Sequence, residues 1–359
     1  MGRNSQSRPH QRVPFVASAL IGLLLVAACS SGEGSSTTTT SRASVTTSPV
    51  TTTAASILPP EEPFRGFALS PVDYAGESVV EFFETASRNA DAIERVGDIL
   101  EWEEPAESGL AVVDALAAEY GYLSLSITGV FDVDDGELLR PMDDATFDRY
   151  VAAARSYAER HQPPYLGLGV EIDTQWRNRP DDFEVFVELF AAVAAVVGEV
   201  SPDTKMFTAF QLERLSGMHG GLFGGANDPE SAAWELIDRF PDADIIAFTT
   251  YPGLVFPHPA DIPEDYYTRL NGYAGGRPIA FTEVGWHSGG EYGVYSGTEE
   301  KQVAFLERFQ ELTAEADVAF YIWSFLYDQQ AAGPFTSMGL VDRVRRPKPA
   351  WWVWQNSAD

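Results

Sequence analysis

Two apolar runs in this sequence end in glutamate. In "PPYLGLGVEIDTQW" the β-prone run Tyr165–Val170 leads into Glu171, with Asp173 and Trp176 close behind. In "RPIAFTEVGWHSGG" the run Pro278–Phe281 leads to Glu283 and then Trp286. Burying a carboxylate without partners is costly, so an acid just past a buried run implies a strand that ends at a polar opening. Two such acids converging supply what glycoside hydrolysis requires: one group to protonate the leaving oxygen, and one to attack the sugar or activate water. A carboxyl separation of about 5–5.5 Å gives retention of configuration and about 6.5–9.5 Å gives inversion.

The elements that must position these acids alternate along the chain. Strands are expected at Phe67–Ser70, Asp98–Trp102, Leu123–Thr128, Tyr165–Val170, Lys205–Phe210, Ile245–Thr250, Ile279–Thr282 and Val318–Ser324. Most are near-continuous hydrophobic runs, as strands buried on both faces of a parallel sheet should be. Helical spacing and boundary residues place helices at Glu77–Ile93, Gly109–Tyr120, Asp143–His161, Asp181–Val200, Glu230–Phe240, Pro263–Tyr273 and Thr298–Asp317, with a closing helix in "PKPAWWVWQ". About eight strand–helix units in about 300 residues match the size and alternation of a (β/α)8 TIM barrel. No G-x-G-x-x-G turn or phosphate loop is present, which disfavours an open doubly wound sheet and implies no organic cofactor. In a barrel, Glu171 and Glu283 end strands 4 and 7 on the face where such folds place active sites.

"GLGVEID" and "IAFTEVGW" resemble the two signatures of the clan A glycoside hydrolases, retaining enzymes on (β/α)8 barrels. "GWHSGG" is similar to the endo-β-1,3-glucanases, and the stretch from strand 6 to strand 7 to the endo-β-1,4-galactanases. The tail "GLVDRVRRPKPAWWVW" also resembles the ending of many such enzymes. The resemblance implies that Glu171 is the acid/base and Glu283 the nucleophile. It further implies that Tyr251, in "FTTYPG", hydrogen-bonds the nucleophile, and that Trp323, in "YIWSFLYD", is a platform under the sugar. One residue departs from the pattern. The family has Asn directly before the acid/base, bonding the sugar 2-OH, and this chain has Val170.

Around the acids, Trp286, Trp176 and Trp102 offer apolar faces for sugar CH groups, with ordinary packing as the alternative. Trp351, Trp352 and Trp354 in the last helix read as core. Asp73, Gln211 and Asp328 follow strands 1, 5 and 8 and are placed to bond hydroxyls, while His287, four residues after Glu283, is expected to contact substrate. The histidines match no zinc spacing, so no metal is expected, and no G-x-S-x-G elbow suggests a serine hydrolase.

The ends and composition set the context. Arg3, Arg8 and Arg12 precede the apolar run Val13–Ala28, too short for a comfortable span. "VAAC" resembles a bacterial lipoprotein signal with Cys29 as the lipidated residue; Cys29 is the sole cysteine, so no intramolecular disulfide forms. Residues 29–56 are Ser/Thr-rich, with little to bury, and read as a disordered tether ahead of a single domain at 57–359. A formal charge of −29 disfavours nucleic acid as a partner. The expectation is a monomeric, lipid-anchored cell-surface glycoside hydrolase on a β-linked oligo- or polysaccharide. The alternative is a non-catalytic carbohydrate-binding lipoprotein that has kept the barrel.

Overall fold

The computed structural model describes residues 62–357; the expected signal segment, Cys29 and the Ser/Thr-rich stretch expected to be a tether lie outside them. Among the described residues the apolar runs form β1 (Phe64–Ala68), β2 (Ala92–Asp98), β3 (Leu123–Gly129), β4 (Tyr165–Leu168), β5 (Lys205–Gln211), β6 (Ile245–Thr250), β7 (Ile279–Val284) and β8 (Val318–Trp323). All pair in parallel with their sequence neighbours, and β8 closes on β1. The chain is therefore a closed (β/α)8 TIM barrel. Its helices are α1 (Gly76–Ala86), α2 (Gly109–Tyr120), α3 (Asp144–His161), α4 (Ile172–Asn178), α5 (Pro180–Val200), α6 (Leu212–Leu215), α7 (Leu270–Tyr273), α8 (Glu299–Thr313) and α9 (Pro349–Asn356).

Helix boundaries follow from local chemistry. Asp143 caps α3 by accepting from the Thr146 N–H at 2.8 Å, satisfying one of the donors a helix start leaves open. Gly121 ends α2 in the left-handed region at φ 81°, which glycine adopts without penalty.

Side chains alternate across each strand, one set filling the barrel and the other meeting the helices. Phe64 packs on Phe320 at 5.1 Å and on Tyr165 at 5.3 Å, and Phe207 reaches Phe320 at 5.5 Å, so aromatic rings plug the interior. Gly167 yields its space to this plug, since a Cβ there would stand 2.7 Å from the Phe207 ring. On the outer face Phe281 packs on Phe309 of α8, and Phe210 on Phe240. Trp354 of α9 covers Phe67 of β1 at 4.9 Å. Trp351 is buried with it, whereas Trp352 is 56% exposed.

Five expectations shift. The first strand is Phe64–Ala68, not Phe67–Ser70. The second strand is Ala92–Asp98, not Asp98–Trp102, and the first helix stops at Ala86 rather than Ile93. "AIERVGD" carries three charged residues: Glu94 faces inward, Arg95 pairs with Glu101 outside and Asp98 caps the turn that follows, and these charges hid a strand. Residues 99–102 form a 3-10 turn instead, capped by Asp98. The helix expected at Glu230–Phe240 is two 3-10 turns, Pro229–Ser231 and Trp234–Arg239, and only Leu270–Tyr273 of the next is α-helical.

Candidate active site

Glu283 is aimed by a bulge. On β6 and β7, Phe248 pairs with Phe281, but Thr249 pairs with Glu283, leaving Thr282 as an extra residue. Strict alternation would put Glu283 on the outer face with Phe281; the extra residue turns it inward, the usual work of a bulge beside a site. Glu171 is aimed by strain. It lies at φ 51°, ψ 43°, a left-handed conformation costing a non-glycine residue about 1–2 kcal/mol. Gly169, at φ 85°, precedes it where a Cβ would stand 2.5 Å from Phe186. Backbone strain of this kind concentrates at functional sites.

The two carboxyls meet through β6. Thr249 Oγ1 donates to Glu171 Oε1 at 2.8 Å, and Thr249 is the register partner of Glu283. Tyr251, just past β6, donates its phenol proton to Glu283 Oε2. Ser324 Oγ lies 3.0 Å from that phenol and 3.1 Å from the Val284 carbonyl, fixing the ring.

Electrostatics separate the pair. Burial pushes Glu171 up to about 8, offset in part by Arg214, while the charges of Glu283 and Asp173 add to the rise. Burial pushes Glu283 only to about 7, because the Tyr251 hydrogen bond favours its ionised form. The proton therefore resides on Glu171 first. Tyr251→Phe is expected to lower kcat/KM about tenfold to a hundredfold, the worth of one hydrogen bond to a charged group. It should also move the acidic limb of the pH profile upward, since the phenol no longer stabilises the carboxylate. An unchanged profile would show that Tyr251 does not act on Glu283.

Two further acids complete the floor, and neither was singled out in the sequence. Glu213 is fully buried and accepts from Thr250, the Tyr251 N–H, Tyr266 and Gln211, so it anchors the end of β6 that carries Tyr251. Its position right after β5, in "FQLERL", was the available signal. Glu94 is 1% exposed, and neither carboxyl oxygen has a hydrogen-bond partner among the described residues. It pairs with Ala68, one residue past the Phe67–Trp323 pair, so it lies at the level of Ser324 where β8 ends. Burial and the Glu283 charge hold it well above the ordinary carboxylate range.

Other expected site residues are placed elsewhere. Trp323 is a correction: it is fully buried on the outer face of β8, between Phe305 and Trp354, with Nε1 on the Met338 carbonyl. Trp102 likewise lies outside the barrel, stacked on Tyr157 and bonded to Ser126. Trp286 is 1% exposed and packs on Phe305. His287 is fully buried beside it, with Nε2 2.7 Å from the Tyr295 carbonyl, so neither presents a face to a ligand here. Gln211 spends its amide on Glu213 and the Arg214 N–H, capping α6. Asp328 is paired with Lys348 at 2.6 Å, and Asp73 is exposed and accepts from the Ala75 N–H in the turn ahead of α1. Trp176 is half-buried, with the Arg177 guanidinium 5.9 Å from its ring centre. Two reasons apply: the buried tryptophans pack on neighbouring rings, while past a strand end a polar side chain first satisfies the loop's own backbone and charges.

A search of family models matches none to the chain, and no curated protein matches it. Solved structures do. An exo-β-1,4-mannosidase from Opitutaceae bacterium strain TAV5 is 16% identical with a TM-score of 0.59, over 82% of this chain and 59% of that one. A Ruminococcus gnavus β-glucuronidase in complex with uronic isofagomine gives 16% and 0.56, over 83% and 51%. A β-galacturonidase from Eisenbergiella tayi bound to galacturonate gives 17% and 0.54, over 82% and 51%. The chain spans about half to three-fifths of the length of these proteins, and at such identity the likeness establishes the barrel fold.

Proposed function

We propose that this chain is a glycoside hydrolase that cleaves β-linked glycans with retention, Glu283 acting as nucleophile and Glu171 as acid/base. The observation that carries the reading is the convergence of two buried carboxyls at the barrel mouth, Glu171 held by Thr249, the register partner of Glu283, and the pair tuned apart by Tyr251. The barrel's likeness to a mannosidase, a glucuronidase and a galacturonidase supports it. In the proposed cycle, Glu171 protonates the glycosidic oxygen while Glu283 attacks the anomeric carbon and forms a glycosyl ester. Esterification removes the negative charge facing Glu171, its pKa falls, and it then takes a proton from the water that hydrolyses the ester. We also propose that Cys29 tethers the enzyme to the outer face of a bacterial membrane.

Val170 favours a second reading. It is 2% exposed and apolar where the resembling family places a hydroxyl-bonding Asn, which suits a barrel that binds glycans without cleaving them. A panel of β-linked polysaccharides and aryl β-glycosides decides between the two, with the first-formed anomer read by NMR. Retention in the product supports the proposal; glycan binding without turnover supports the second reading. The pH dependence of kcat/KM supplies a further check. Turnover needs Glu283 ionised, which fails below about 7, and Glu171 protonated, which fails above about 8. A narrow bell between those values is expected, its limbs belonging to the coupled pair. A broad optimum near pH 5 would contradict the proposed protonation states.

A further inference from the structure

We propose that the cavity beside Glu171 bounded by Arg177, Arg214 and His219 is a leaving-group subsite for an acidic sugar, one bearing a carboxylate or a sulfate half ester. The proposal rests on Glu171 being the acid that protonates the glycosidic oxygen.

The cavity holds about 310 Å³. Its wall begins immediately after the acid: α4 starts at Ile172, and its residues Thr174 and Arg177 line the space, with Arg214 of α6 opposite. Arg214 is also the cation that most opposes the rise in the Glu171 pKa, which places it within electrostatic reach of that carboxyl. A group leaving past Glu171 therefore meets these guanidiniums.

Their presence is unusual for this chain, which has 24 Lys and Arg against 53 Asp and Glu. Neither Arg177 nor Arg214 forms an ion pair among the described residues. Arg177 instead places Nη1 3.1 Å from His219 Nε2 and Nη2 2.5 Å from the Arg214 carbonyl oxygen, while its buried Nε has no partner. Arg214 reaches Thr174 Oγ1 at a long 3.4 Å and lies over the Phe223 ring at 4.9 Å. His219 reports the local field: burial, then the charges of Arg177 and Arg214, push it below its ordinary value, against a smaller opposing effect of Asp228.

The carboxylates facing the cavity are few. Asp134 lines it, and Asp173 sits fully buried beneath, accepting from the Gln211 N–H at 2.8 Å, with burial raising its pKa. Arg177 and Arg214 thus stand against two acids, Asp134 on the wall and Asp173 beneath it, whose charge interacts with both guanidiniums. Guanidinium forks match carboxylate and sulfate oxygens, often in pairs of hydrogen bonds, and Leu222 and Phe223 give a sugar ring an apolar surface.

The test is calorimetric titration of the Glu283→Gln full chain with β-1,4-linked glucuronate oligosaccharides, their carboxyl-reduced counterparts, and the 6-sulfated form of the latter. At least tenfold tighter binding of an acidic oligosaccharide is expected at low salt, declining as salt rises. Whichever acidic form binds more tightly identifies the anion. The added Arg177→Gln and Arg214→Gln changes should each remove most of that preference while neutral binding persists, and Arg177→Lys should restore part of it. Equal binding of acidic and neutral forms, binding of none, or a preference that survives both arginine changes would overturn the subsite. Hydrolysis by the wild-type chain in parallel separates the two proposals. Selective acid binding without cleavage leaves an acidic-sugar site but fails the hydrolase reading and with it the leaving-group role, and cleavage without acid preference fails the subsite alone.

Discussion

Glu283→Gln is expected to reduce turnover of any aryl β-glycoside to background, while Glu171→Gln is expected to slow it in a way that depends on the leaving group. Gln at 283 keeps the shape and the Tyr251 contact but cannot form the glycosyl ester, so every substrate suffers alike. Gln at 171 cannot donate a proton. A poor leaving group should lose about 10²–10⁴-fold, the usual worth of general acid catalysis, whereas a dinitrophenolate, which departs unprotonated, should lose little in its first step. Stereochemistry sharpens the assignment. With Glu171→Ala, azide enters the vacated space and attacks the glycosyl ester, giving a β-glycosyl azide. With Glu283→Gly no ester forms, and azide displaces the leaving group directly, giving the α-azide. The reverse pairing of azide products would interchange the two roles, and substantial turnover by Glu283→Gln would end the covalent mechanism.

What the sequence carried was the closed barrel and the chain positions of the two strand-end glutamates, because both rest on patterns that run along one strand. Hydrophobic runs and turn residues locate strands 3 to 8, and an acid at the end of such a run is visible without a partner. The lost information concerns faces. Trp323 sits at the end of β8 just as a sugar platform would, yet it is the neighbour of Tyr321 by two residues and shares its outward face against α8 and α9. Deciding that from sequence needs the exact parity of the strand, and the β7–β8 pairing contains two register shifts. Glu283 shows the opposite case: parity would have sent it outward, and the bulge at Thr282 brings it in. Gln211, Asp328 and His287 occupy suitable sequence positions but are engaged by Glu213, Lys348 and the Tyr295 carbonyl, partners that come from distant segments or from a loop whose shape only the fold sets. The Arg177–Arg214–His219 cavity likewise joins α4, α6 and the loop beyond, three segments with no shared motif.

Glu94→Leu is expected to stabilise the fold and to impair the site at once. A buried carboxyl without a hydrogen-bond partner costs about 1–3 kcal/mol, and leucine removes that cost while filling most of the space. The gain should depend on pH with a definite sign. Because the folded protein holds the Glu94 proton well above the ordinary value of 4.5, wild-type stability contributed by this group is intact below that value. It is lost as pH rises from there toward the folded pKa. The variant lacks this loss, so its advantage in Tm should be small near pH 4 and grow through neutrality. Function should move the other way. At the level of Ser324, facing Glu283, an unpaired acid is a donor waiting for a hydroxyl, and its removal should lower kcat/KM about tenfold to a hundredfold. Glu94→Gln, which keeps a donor of the same length, should retain more activity than leucine does. Opposite responses of stability and activity are the pattern of a residue kept for a ligand at the fold's expense. If leucine instead lowers Tm at neutral pH, Glu94 has a partner that the fold itself supplies, and its place in the site is withdrawn.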